Sequence, residues 1–140
     1  MLVKEIMTRN IIKINYEKSV YEACQLYRKY RIGCLLVENE EERVIGILTE
    51  RDIIERTICE DLNPKETIVE KVMSTDLKTI HVLDKLEEAL KKMSEFGIKK
   101  LPVVKNNQIV GIVTITDVSK SKPELTKRFM DSWVKSSWRD

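Results

Sequence analysis

Apolar and polar positions alternate in the same way in two stretches of the chain. In Gly111-Ile-Val-Thr-Ile-Thr-Asp117, apolar residues run through a glycine and end in two hydroxyls and a carboxylate. Gly46-Ile-Leu-Thr-Glu-Arg-Asp52 has the same form earlier in the chain. Each reads as a strand handing over to a helix, the second helices starting near Glu50 and near Thr116. Upstream, Val20, Ala23, Cys24 and Tyr27 recur at the spacing of one helix face, as do Leu86, Ala89, Leu90 and Met93. Gly97 is a natural left-handed stop for the second of these helices. β-like runs at 11–14 and 79–82 precede them. Strand pairs follow them: Cys34–Glu38 with Val44–Thr49, joined by the acidic loop 39–43, and 101–105 with Gln108–Thr114. Asn106-Asn107 predicts a tight hairpin in the second pair, because Asn tolerates positive φ. Thr67-Ile-Val-Glu70 has the form of a capping box and predicts a short helix leading into Met73.

The order of elements is duplicated. Met7, Ile14, Glu22, Ala23, Ile32, Leu35 and Val37 meet Met73, Ile80, Glu88, Ala89, Ile98, Leu101 and Val103 at one constant spacing. After a single deleted residue, Gly46, Thr49 and Asp52 meet Gly111, Thr114 and Asp117. The expected fold class is therefore α/β (α+β): two pseudo-twofold-related β-α-β-β-α repeats, each a small sheet packed with two helices. The repeats span 2–61 and 62–120, with a helical tail over 121–140 opened by Pro123. A half of about 60 residues is marginal alone. Pairing the halves would bury an apolar sheet face and set the two strand-to-helix junctions across a cleft. In the tail, Phe129, Met130, Trp133 and Trp138 are expected either to pack on the parent module or a dimer mate, or to anchor a target protein.

Composition narrows the function classes. The 140 residues carry 25 basic and 23 acidic side chains, a net charge of +2, which argues against nucleic acid as a partner. No window approaches the roughly 18 apolar residues needed to span a bilayer. Cys24, Cys34 and Cys59 are scattered without a Cys-x-x-Cys and read as reduced thiols, so a soluble, cytoplasmic protein is expected. The only histidine, His81, has no carboxylate or cysteine partner in sequence. With no P-loop, His-Glu-x-x-His or Gly-x-Ser-x-Gly, neither a catalytic nor a metal site is expected.

The residues also carry a resemblance. Val-Lys-Glu-Ile-Met-Thr at 3–8 and Val-Glu-Lys-Val-Met-Ser at 69–74 open the repeats. Ser-Val-Tyr-Glu-Ala at 19–23, Ile-Gly-Cys-Leu-Leu-Val at 32–37, Leu-Pro-Val-Val at 101–104 and the two Gly-x-x-Thr-x-x-Asp segments follow. Over about residues 2–120 the chain resembles a tandem pair of cystathionine-β-synthase-type (CBS) domains, a Bateman module. The resemblance implies a regulatory module that binds AMP, ADP, ATP or S-adenosylmethionine. It also implies a homodimer forming a flat disc of four CBS domains, acting on a regulated partner protein.

A ribose cis-diol offers two O–H donors that one carboxylate can accept, and a phosphate needs hydroxyls, N–H donors and positive charge. Thr114, Thr116 and Asp117 meet those needs in the second repeat, and Thr49 and Asp52 in the first. The same Thr-x-x-Asp spacing is also a helix cap, and the two roles are compatible. Lys99 and Lys100 stand where nucleotide-binding relatives carry basic residues that resemble phosphate ligands; the other reading is a solvated lysine pair. Gly33 and Cys34 are small enough for a base to approach the backbone, or for tight sheet packing. By analogy with the family, the Asp117 site would add Thr8, Asn10, Ile12 and the backbone of Ile32, Gly33 and Cys34. The Asp52 site would add Ser74, Lys78 and the stretch from Ile98 to Lys100. Arg51, where the second repeat has Thr116, either contacts phosphate or fills the Asp52 site, so the Asp117 site is expected to be the better one. The leading expectation is an adenine-nucleotide sensor; the alternative is a ligand-free CBS-pair scaffold.

Overall fold

The computed structural model describes residues 1–137, apart from the side chains of Phe129 and of 132–137. The chain divides into two compact units. One is Ile11–Leu77; the other joins Met1–Asn10 to the chain from Lys78 onward.

In the unit Ile11–Leu77, β1 (Lys13–Asn15) leads into α1 (Val20–Tyr30), β2 (Cys34–Glu38), β3 (Val44–Thr49) and α2 (Glu50–Ile53). The sheet order is β1-β2-β3, with β1 parallel and β3 antiparallel to β2. Helix α1 is the crossover that a parallel pair requires. Its start is set by a reciprocal capping box: the Ser19 hydroxyl accepts from the Glu22 N–H at 3.1 Å, and the Glu22 carboxylate accepts from the Ser19 N–H at 2.9 Å. The α1 stripe packs with Leu35, Val37, Leu48 and Ile53 into one core. Tyr27 ties α1 to β3 by donating its hydroxyl to the Leu48 carbonyl, and burial pushes its phenol well above the usual range. A π-helical turn, Ile54–Ile58, continues α2.

The other unit has the same order: β4 (Ile80–His81), α3 (Leu86–Phe96), β5 (Lys100–Lys105), β6 (Gln108–Thr114) and α4 (Ile115–Ser121). A further helix, α5 (Pro123–Ser137), lies against α3 and α4, with Leu125 packed on the core. The sheet order β4-β5-β6 and its parallel and antiparallel pairings match the first sheet. β4 is one residue shorter than β1, and Pro102 accounts for the difference. The Leu36 N–H donates to the Ile12 carbonyl at 3.1 Å. Pro102, the repeat-equivalent of Leu36, has no N–H to donate.

Each sheet is completed by the lead-in segment of the other repeat. A 3₁₀ turn at Val3–Glu5 delivers Val3 and Met7 into the core formed by β4, α3, β5, β6 and α4. A second 3₁₀ turn at Val69–Lys71 delivers Val69, Val72 and Met73 into the core under β2 and β3. The capping box expected at Thr67 does not form. The buried Thr67 hydroxyl donates instead to the Asn63 carbonyl at 2.8 Å, and the turn starts one residue later, after Ile68. The compact units therefore interleave, while the repeats run consecutively in sequence. Phe129 and Trp133 fall on α5, but their side chains, and all of Trp138, lie outside the described residues.

Candidate functional site

In the unit that holds Asp117, β6 delivers Thr114 to the N-cap of α4. The Thr114 hydroxyl accepts from the Asp117 N–H at 3.1 Å, and Asp117 Oδ2 accepts from the Thr114 N–H at 3.0 Å. Among the described residues, that N–H is the one donor the half-buried Asp117 carboxylate meets. Lys100 is the strand partner of Thr114, and the Lys99 carbonyl accepts from the Ile115 N–H at 3.0 Å. Thr8 and Ile112 exchange backbone hydrogen bonds at 2.8 and 2.9 Å. Thr8, Lys99, Lys100, Thr114, exposed Thr116 and Asp117 therefore gather at the end of β6. Asn10 is exposed beyond Thr8, without a described contact to Asp117.

The helix start contributes less than the sequence suggested. Of its first N–H groups, Ile115 is taken by the Lys99 carbonyl and Asp117 by the Thr114 hydroxyl. Side chains, rather than a row of bare amides, are the polar equipment here. Two residues assigned by analogy to the Asp52 site lie in this unit. Ile98 packs against the core, and Lys78 Nζ lies 4.5 Å from the centroid of the Phe96 ring, a cation–π contact.

The second unit builds the same cap from Thr49 and Asp52, at 3.0 and 3.2 Å. Ser74 and Ile47 exchange backbone bonds at 2.8 and 2.9 Å, as Thr8 and Ile112 do. The carboxylate, however, is already engaged. The Ser74 hydroxyl donates to Asp52 at 3.2 Å to Oδ1 and 3.3 Å to Oδ2, and Arg56 Nη1 lies 3.7 Å from Oδ1. Asp52 is buried, 8% exposed. Arg51 neither fills nor faces this junction: its guanidinium pairs with Glu55 at 2.9 Å, with the side chain 83% exposed. The polar residue that matters here is Arg56, which the sequence reading passed over. Its signal was the four-residue step from Asp52, the spacing at which helical side chains meet.

Ile12 and Ile32 pack on the apolar core of this unit, Gly33 is half-buried, and Cys34 is buried opposite Thr49. These four lie in a different unit from Asp117. Gly46 and Gly111 make the close passage of the lead-in segments possible. A Cβ on Gly46 would stand 2.7 Å from Met73 Sδ and 2.9 Å from the Ser74 carbonyl oxygen. On Gly111 it would stand 2.8 Å from the Thr8 carbonyl oxygen and 2.9 Å from Met7 Sδ.

His81 is exposed on β4, and its Nδ1 accepts from the Leu83 N–H at 3.1 Å. Among the described residues, no group of three His, Cys, Asp or Glu side chains is placed to hold a metal, and no helix is long and apolar enough to cross a membrane.

The CBS-domain family model matches twice, over residues 3–58 and 69–124. An uncharacterized protein of Methanopyrus kandleri is 33% identical over 124 residues, 88% of this chain and 63% of its own length. An inosine-5'-monophosphate dehydrogenase of Staphylococcus aureus is 43% identical over 106 residues, 74% of this chain but 21% of its own length. The chain thus spans under two thirds of these curated relatives. Among solved structures, an uncharacterized conserved protein from Pyrococcus horikoshii superposes with a TM-score of 0.82 at 34% identity, covering 86% of this chain and 90% of that one. The CBS domain pair of protein MJ0100, in complex with 5'-methylthioadenosine and S-adenosyl-L-methionine, gives a TM-score of 0.77 at 29% identity, covering 86% of this chain and 94% of that one. Two matched segments, in order and on two sheets of like topology, make the chain a member of the CBS-domain family, as a tandem pair.

Proposed function

We propose that the protein is a regulatory sensor of an adenosine ligand (AMP, ADP, ATP or S-adenosylmethionine) and not an enzyme, with Asp117 as the ribose acceptor. The observation that carries this reading is the state of the Asp117 carboxylate. It is half-buried and spends one acceptor position on the Thr114 N–H, which leaves capacity for a diol. Thr8, Thr114 and Thr116 supply hydroxyls around it, and Lys99 and Lys100 bring positive charge beside the same strand end for a phosphate. The adenosine compounds held by the MJ0100 pair support the ligand class. Isothermal titration calorimetry with the four ligands tests the reading. Asp117→Ala is expected to weaken the best binder at least tenfold, about 1.4 kcal/mol, with the circular dichroism spectrum unchanged. Unchanged affinity would remove the site.

Ligand binding would act by favouring one arrangement of the module over another, by no more than the difference in affinity between them. We assign the assembly as a homodimer building a four-CBS disc on a regulated partner protein, in the cytoplasm, where free Cys24, Cys34 and Cys59 stay reduced. Exposed Ile54 and Ile58, four residues apart and 55% and 60% exposed, favour self-association. The ligand-free scaffold keeps one observation in its favour, the internally satisfied Asp52. A thermal-shift panel of nucleotides that moves nothing would favour that second reading.

A further inference from the structure

The two capping boxes are near copies, yet among the described residues only one of them is closed by the protein's own side chains. In the repeat alignment Thr8 stands for Ser74, Asp117 for Asp52 and Ser121 for Arg56. The backbone exchange is the same in both units, Thr8 with Ile112 and Ser74 with Ile47. The side-chain chemistry differs most at the position of Arg56. Arg56 Nη1 donates to the Val72 carbonyl at 3.0 Å, the Met73 carbonyl at 3.1 Å and the Ser74 hydroxyl at 3.3 Å, while standing 3.7 Å from Asp52 Oδ1. The Ser74 hydroxyl in turn spans both Asp52 oxygens. Arg56 sits in the π-helical turn Ile54–Ile58, a widened geometry that often marks a functional position in a helix. A serine side chain, as at 121, is too short to bridge to a neighbouring segment in this way.

We propose that Arg56, Asp52 and Ser74 form an internal latch. It fastens the lead-in segment 72–74 to α2 and occupies the acceptor positions that a ribose would need, so the first repeat takes no ligand. The single-site consequence, one adenosine ligand per chain at Asp117, rests on the function proposed above; the latch itself does not. Asp52 has accepted from the Thr49 N–H and the Ser74 hydroxyl and lies against a guanidinium. A diol would have to displace Ser74 and break the charge-assisted contact, whereas at Asp117 it would displace nothing the structure describes.

Residue-resolved hydrogen exchange on the intact, ligand-free chain tests the latch. In Arg56→Ser, the Ile47 and Ser74 amides are expected to exchange at least tenfold faster, with Ile112 and Thr8 unchanged. Asp52→Asn keeps the cap but removes the charge and is expected to shift the same two amides in the same direction, which covers a failure of the first variant to fold. Unchanged exchange at Ile47 and Ser74 in the variants that fold overturns the latch. Calorimetry with AMP, ATP and S-adenosylmethionine then reads the site. One ligand per chain, held within twofold by Asp52→Asn and lost at least tenfold by Asp117→Asn, is the expected result. Two ligands per chain, or a tenfold loss in Asp52→Asn, overturns the closure of the first repeat. Faster exchange in Arg56→Ser with no binding of any of the three would uphold the latch and remove the nucleotide reading instead.

Discussion

Arg31 ends α1 with φ of 52°, in the left-handed region, where Gly97 ends α3 at φ of 65°. The two positions are repeat equivalents, and only glycine takes that conformation without a Cβ penalty of about 1 kcal/mol. Arg31→Gly is therefore expected to raise unfolding stability by about 1 kcal/mol, and Gly97→Ala to lower it by a similar amount; urea denaturation reads both. Nothing lies within 4 Å of a Cβ on Gly97, so that loss is a backbone cost and not a clash. Gly46→Ala and Gly111→Ala differ in kind. Each new methyl would press on a carbonyl oxygen of the lead-in segment at 2.9 or 2.8 Å, and backbone cannot step aside as a methionine tip can. A loss of about 1–3 kcal/mol is expected for each in the same assay. The thiols separate by burial: exposed Cys59 should react quickly with Ellman's reagent. Buried Cys34 and half-buried Cys24, whose thiol burial pushes up, should react slowly until the protein is unfolded.

At the scale of elements, local rules predicted most of what formed. Asn106 and Asn107 both adopt positive φ, 51° and 61°, because their side chains tolerate what a hairpin turn demands. The stripes of α1 and α3 follow from period alone, since burial of one face imposes it. The departures came where an interaction outside the expected motif decided. Thr67 has the spacing of a cap, yet the Asn63 carbonyl captured its hydroxyl. Pro102 shortened β4 by withholding a donor that only the strand pairing makes relevant. Arg51 and Arg56 are indistinguishable by composition. The turn around Ile54–Ile58 sends one to solvent and the other to Ser74, and a π-helical turn has no strong sequence signature. The Thr114–Asp117 pair was legible because cap chemistry is local; the neighbours that make it a candidate site, Thr8 above all, come from distant sequence.

At the scale of the whole molecule, a duplicated sequence has become two units that do not follow its repeat boundaries. Val3 is fully buried in the core built from residues 80–118, more than seventy positions downstream in the chain. Val3→Ala is expected to cost about 2 kcal/mol and to speed exchange of amides in β6 before those in β3. Equal acceleration in both sheets would contradict the interleaved arrangement. With the lead-in segments exchanged in this way, neither consecutive repeat carries its whole core. The central claim is chemical: a carboxylate at residue 117 with acceptor capacity to spare takes the ribose of an adenosine ligand. Isothermal titration of the wild type and Asp117→Ala against AMP, ADP, ATP and S-adenosylmethionine tests it most directly. The account predicts saturable binding of at least one of them by the wild type, weakened tenfold or more in the variant; equal affinity in both proteins, or binding to neither, would contradict it.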